Sequence, residues 1–300
     1  MLRPMFLAMA AMLLVLSACE PTPEPSGFDA QTFDQQASDG AQLGSDVTVT
    51  TDDLSGTWVL VTDWSTCVAI GDEIELRNYE ISRIEIIQTG VKLHEMRQDC
   101  MIANTPILGM TTVVPPVAIA SAGTMVSNAF FPAHGNGSPY TSGVEVQTWG
   151  LKFNNDPETE AMPVDANDPR VVDADNDGHP GVTLKVGGAC DLYAVQRAVM
   201  QRTGKFGTDS LGAHISGDAT RHVVQVALGA SQGFCAQPFA TVSNQSSNSW
   251  EMRRVDKLGM NLDQDGDGTV SCAEIVANQA IFHSEWTPPD DTRCTPYKQP

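Results

Sequence analysis

Residues 54–260 are a succession of short runs rich in Val, Ile, Thr and Trp, cut by Gly, Pro, Asn and Asp. This punctuation constrains the fold more than any other feature. "GTWVLVTDW", "YEISRIEIIQTG", "VEVQTWGLKF", "VTLKV", "HVVQVAL" and "SWEMRRV" carry it. β-Branched and aromatic residues suit a pleated, half-buried strand, and the separators suit turns. Several runs alternate with period two, placing Trp58 and Leu60 on one face and Val59 and Val61 on the other. In "VEVQTWGLKF" the apolar phase moves from Val144 and Val146 to Trp149, Leu151 and Phe153, as a bulge or twist would require. Helical periodicity is nearly absent before residue 270. The expectation is a mainly β fold, an antiparallel sandwich or barrel.

"TPILGMTTVVPPVAIASAG" and "NNDPETEAMPVDANDPR" read as surface loops because of their Pro content. No linker interrupts 54–260, so it reads as one β domain, with 261–300 appended. Residues 19–53 are mostly Pro, Ser, Gln, Asp and Thr and read as a disordered tether, too poor in apolar side chains to offset ordering entropy. Ahead of them lie Arg3 and an apolar run over 5–15 that is too short to span a bilayer as a mature helix. That run ends in Leu16, Ser17, Ala18 and Cys19, which resembles the lipobox of bacterial lipoproteins. The resemblance implies removal of a 1–18 signal peptide, acylation of Cys19 (diacylglycerol and an N-terminal palmitate-type chain), and attachment to a membrane. Glu20, where inner-membrane lipoproteins carry Asp, makes the outer membrane the expected address.

Six further cysteines, Cys67, Cys100, Cys190, Cys235, Cys272 and Cys294, form an even set, as a disulfide-bonded exported chain would have. Pairing neighbours (67 with 100, 190 with 235, 272 with 294) is the simplest of many connectivities. There is no Cys-x-x-Cys and no His at zinc spacing. The formal charge of −20, from 37 acidic and 17 basic residues, argues against nucleic acid and anionic membrane surfaces as partners and favours cations.

"DQDGDGTVSCAE" over 263–274 places oxygen ligands where a hard cation needs them. Asp263, Asp265 and Asp267 fall at the first, third and fifth positions. Thr269 follows at the seventh through its carbonyl, Ser271 at the ninth and Glu274 at the twelfth. Gly268 supplies the sharp turn and Val270 the apolar pin. Without a cation the three aspartates repel one another. The pattern resembles the EF-hand calcium loop, and the resemblance implies Ca2+ as the bound ion. "AEIVANQAIFH" then suits a helix over 273–283, with Ile275 and Phe282 near one face. What precedes the loop reads as strand and turn instead of an entering helix. A bridge from Cys272 to Cys294 would lock helix and tail around the ion. A second loop, "DADNDGHPGVTL", holds Asp173, Asp175 and Asp177 with Gly178 at the sixth position. Its twelfth position is Leu184, so it is a weaker candidate, with Asp165 or Asp168 able to complete the shell from upstream.

"LSGTW" at the start of the first strand is similar to the opening Gly-x-Trp of lipocalins, which implies a small-ligand barrel as the runner-up to a calcium-stabilised lipoprotein. A closed barrel with an apolar cavity would favour it over a filled interior. A surface adhesion or scaffold protein is the third reading. Gly229-Ala230-Ser231-Gln232-Gly233 matches Gly-x-Ser-x-Gly, but a nucleophile elbow needs a helix straight afterwards and a parallel sheet around it. "FCAQPFATVSNQSSNS" offers neither, so no enzyme is expected. His94, His134, His179, His214 and His222 are scattered without metal-site spacing.

Overall fold

A computed structural model describes residues 53–70, 72–106, 109–132, 135–188, 190–236, 241–256 and 262–282. The signal peptide, Cys19, the tether as far as residue 52, His134 and Cys294 lie outside these residues. All described residues belong to one compact unit.

The punctuated runs form eleven strands: β1 (Gly56–Ile70), β2 (Asp72–Thr89), β3 (Lys92–Asn104), β4 (Thr112–Val113), β5 (Met125–Phe130), β6 (Pro139–Ser142), β7 (Glu145–Trp149), β8 (Val182–Val186), β9 (Cys190–Asp209), β10 (Gly212–Ala230) and β11 (Thr241–Arg254). Two helices, α1 (Pro116–Ser121) and α2 (Cys272–Ala277), join them. All pairings between these strands are antiparallel. β1, β2, β3, β5, β6, β9, β10 and β11 each pair with the next, and β11 returns to β1, so the sheet closes on itself. The fold is therefore a barrel. Closure removes the exposed edges that an open sheet of this size would present. β7 and β8 pair with β9 beyond β6, and β4 pairs with β8.

One end of the interior is apolar. Trp58, Leu60, Ile84, Leu93, Phe131 and Ile215 are fully buried there. Leu54 joins them; the Trp58 indole donates to its carbonyl at 2.9 Å, and Arg254 donates to the carbonyls of Asp53 and Ser55. β1 is buried on both faces, as the alternation predicts. Val59 and Val61 point outward with Tyr79 and Ile81, beneath Leu262, Val270 and Ile275.

Three expectations need correction. "VPPVAIAS" is not a surface loop. Pro115 and Pro116 start α1, and Ala118 and Ile119 pack against Trp149, Val182, Leu184 and Ala194. Proline suits the first turn of a helix because its missing N–H needs no partner there. The helix after the 263–274 loop stops at Ala277, where the Asn278 amide donates to the Glu274 carbonyl, and a 3-10 turn, Gln279–Ile281, follows. β7 does not bury Val144 and Val146: Val144 is 43% exposed, while Glu145, Gln147 and Trp149 point inward. The chain leaves the strand at Gly150 (φ 68°), where a Cβ would lie 2.4 Å from the Gly181 Cα.

Candidate functional site: two acidic loops and a buried charge layer

The 263–274 loop is fixed by its own carboxylates. Asp263 accepts the N–H groups of Gly266 (2.7 Å) and Gly268 (2.9 Å). Asp265 accepts that of Asp267, and Asp267 those of the Thr269 backbone and hydroxyl. These bonds turn the chain tightly enough that one oxygen from each of Asp263, Asp265 and Asp267 lies within 4.8 Å of the others. Glu274, from the twelfth position, closes the ring. It accepts the Ser271 N–H and hydroxyl at 2.8 and 2.9 Å, and the N–H groups of Gln264 and Asp265 at 2.5 and 3.3 Å. The Ser271 backbone bond, then that of Gln264, lowers its pKa to about 2. Ser271 and Glu274 also form a capping box that starts α2.

The loop is seated on the barrel wall. Val270 sits in the outer apolar cluster beside Val59 and Ile81, and the Arg83 Nε donates to its carbonyl at 2.6 Å. Cys272 bridges to Cys100 on β3, 172 residues away. The neighbour pairings of 67 with 100 and 272 with 294 are thus overturned, because α2 lies across β2 and β3 and brings Cys272 to Cys100 (Cα–Cα 5.0 Å). Cys190 does pair with Cys235, and Cys67 is disulfide-bonded as well. Upstream, β11 runs to Arg254 and a turn follows at Asp256 where an EF-hand would have its entering helix.

The 173–184 loop repeats the first six positions. Asp173 accepts the N–H groups of Asp177 (3.1 Å) and Gly178 (2.9 Å), and Gly178 has φ 88° against 87° at Gly268. One oxygen each from Asp173, Asp175 and Asp177 again falls within 4.8 Å of the others. Thereafter the loops part. Asp175 is buried, with one oxygen accepting the Thr183 N–H at 2.8 Å and the other without a hydrogen-bond partner. The Thr183 hydroxyl donates to Asp177. His179 stacks on Tyr193 at 4.0 Å. Asp168 is not free to complete the shell, since Arg170 grips both of its oxygens, and Asp165 caps the turn at Asn167.

Sequence reasoning missed a third feature, a layer of ion pairs inside the barrel. Arg97 reaches Glu80 (2.6 Å), Asp99 (3.0 Å) and Glu145 (2.8 Å). Arg202 reaches Glu95 at 2.8 Å and also Glu145. Arg221 meets Glu80 at 3.1 Å and lies over the Trp64 ring. Tyr140 donates to Glu95 at 2.6 Å. Burial pushes Glu80 and Glu95 upward. In Asp99 and Glu145 burial acts the same way, but the guanidiniums beside them prevail and hold both below the usual range. Four carboxyls thus face three guanidiniums in this layer. The signal was present in "LHEMRQD": Leu93 is inward, so Glu95, Arg97 and Asp99 share its phase.

The Gly-x-Ser-x-Gly segment ends β10. The Ser231 hydroxyl accepts the Asp191 N–H at 2.9 Å, and a four-residue 3-10 helix, Gly233–Ala236, follows within an antiparallel sheet. Of the histidines, His94 meets Asn128 and His214 faces Asp209 at 3.7 Å.

Comparison with protein-family models, with curated proteins and with solved structures gives no match.

Proposed function

We propose that this chain is an exported lipoprotein, anchored through Cys19 in the outer membrane, whose 263–274 loop binds Ca2+ as a structural staple. One observation carries the choice of staple over switch: the loop is fastened to the barrel at the positions a sensor would have to move. Val270 and Ile275 are packed into the outer cluster, and Cys272 is bonded to Cys100. An opening motion needs two helices free to swing. Here a pinned α2 leads out, and upstream, among the described residues, β11 ends at Arg254 with a turn at Asp256. The disulfides support the oxidising compartment that the lipobox resemblance implies. Exported modules of this kind bind calcium at about 10⁻⁴–10⁻³ M, so the ion would be held nearly constantly outside the cell.

Isothermal calorimetry of the mature chain with Ca2+ tests this, with Glu274→Gln as the comparison. Millimolar-range binding that the variant weakens supports the staple. Wild-type heats that Glu274→Gln leaves unchanged exclude this loop. For the anchor, a Cys19→Ser variant is expected in the soluble envelope fraction, and its retention in membranes would refute acylation there.

Carriage of a small ligand is the second reading, favoured by ring closure and by the "LSGTW" lead-in. Against it stands the interior, where Trp58, Phe131 and Tyr140 fill one level and Arg97, Arg202 and their carboxylates the next.

A further inference from the structure

We propose that the 173–184 loop is a divalent-cation site in its own right, built around the buried Asp175 carboxylate in place of a twelfth-position glutamate, and that its ion fastens β8 to the barrel. This stands apart from the reading of the 263–274 loop and does not depend on it.

Three carboxylates around a glycine would not by themselves make a site, since exposed acidic turns are common. The second observation is Asp175 itself. It is 8% exposed, and one of its oxygens has no hydrogen-bond partner. That side chain also contributes to the trio of oxygens gathered within 4.8 Å. A buried carboxylate oxygen left without a partner costs free energy, and far more when the group is ionised. Among the described residues no guanidinium or ammonium pairs with Asp173, Asp175 or Asp177; the nearby Lys185 is bonded to Asp191 at 2.8 Å. A hard cation supplies what is missing, accepting one oxygen from each aspartate. The carbonyl of His179, at the seventh position of the pattern, and water would complete the shell.

The loop's attachments show what the ion would hold. Asp175 and Asp177 both bind Thr183, the second residue of β8, through its N–H and its hydroxyl. Ala174 packs beside Val182, Leu184 and Trp149 in the cluster beneath α1. Gly181 (φ 87°) lies so close to β9 that a Cβ there would fall 2.2 Å from the Ala194 carbonyl oxygen. Any strain at the under-partnered Asp175 carboxylate would therefore bear on Thr183 and, through it, on the β8–β9 contact. In the 263–274 loop the third-position aspartate, Asp265, is exposed where Asp175 is buried, and the loop keeps its disulfide whether or not an ion is present.

The test is Ca2+ calorimetry on the full mature chain, as wild type, Glu274→Gln, Asp175→Asn and the double variant, with melts of each in chelator. Asparagine keeps the acceptor for the Thr183 N–H and removes the charge. Expected are two ions in wild type, one in each single variant and none in the double, with Asp175→Asn melting at or above wild type in chelator. One ion in wild type, lost in Glu274→Gln and kept in Asp175→Asn, overturns this inference and leaves the staple standing. One ion lost only in Asp175→Asn supports the inference and removes the staple. A chelator melt of Asp175→Asn well below wild type shows that the charged carboxylate is needed without an ion, and also overturns it.

Discussion

The two acidic loops begin alike and end differently. In both, the first aspartate accepts the N–H of a sixth-position glycine held near φ 87°, and three carboxylate oxygens converge. From the seventh position on, one loop enters a short helix through a capping box and has a glutamate bracing its backbone. The other enters a strand and buries its third-position aspartate. The first half of such a loop is thus local chemistry, whereas the second half is set by what it docks against. The 263–274 loop is held to the barrel by apolar packing and a disulfide. The 173–184 loop is held by its own carboxylates and by Ala174 in the cluster beneath α1, and under the inference above it would be the more sensitive of the two to a missing cation.

Four perturbations sharpen or break that contrast. The largest effect is expected from Cys100→Ala with Cys272→Ala. Freeing a connection of 172 residues should cost about 5 kcal/mol on the chain-entropy account, read by urea unfolding. It should make the melting temperature more calcium-dependent, because the ion then becomes the main tie. If calcium dependence is unchanged, the bridge and the ion do not share the load.

Arg97→Met strikes the buried charge layer inside the barrel. It leaves Glu80, Asp99 and Glu145 with a lost partner, and breaking a buried pair costs about 3–5 kcal/mol. Calcium should rescue neither loop selectively. A smaller effect is expected from Gly178→Ala and Gly268→Ala. Open space surrounds both glycines, so each variant bears only the left-handed backbone penalty of about 1–2 kcal/mol. Unequal costs would show that the first halves are not equivalent.

The smallest effect concerns acid. The backbone bonds from Ser271 and Gln264 depress Glu274 to about 2, below its value of about 4.3 in an unfolded chain. Its contribution is therefore complete above that unfolded value and lost as pH falls toward about 2. Asp168 and Asp209, held at about 2 by Arg170 and Arg253, behave likewise. The difference between wild type and Glu274→Gln, followed by melts from pH 6 downward, isolates the loop. It should shrink across that window, and a constant difference would contradict the assignment.

Much of this was legible in the residues. The alternation of Trp58 and Leu60 against Val59 and Val61 gave β1 both its faces, and the aspartate spacing gave both loops. Barrel and sandwich could not be told apart, because the pairings of β6 with β9 and of β11 with β1 that close the ring are non-local. The charge layer stayed hidden for a related reason. The phase of Leu93 already turns Glu95, Arg97 and Asp99 inward, but Arg202, Arg221 and Glu145, which complete the layer, come from other strands that join it only through closure. Cysteine pairing was equally non-local: Cys272 meets Cys100 only because Val270 and Ile275 seat α2 against the wall.

The central claim is that calcium holds this barrel's 263–274 loop in place without switching it. Paired thermal melts of the mature chain in millimolar Ca2+ and in chelator, with Glu274→Gln alongside, test it most directly. The account predicts a higher melting temperature with calcium, reduced in the variant, and no change in far-ultraviolet circular dichroism below the transition. Identical melts with and without calcium, or micromolar binding accompanied by a large spectral change, would contradict it.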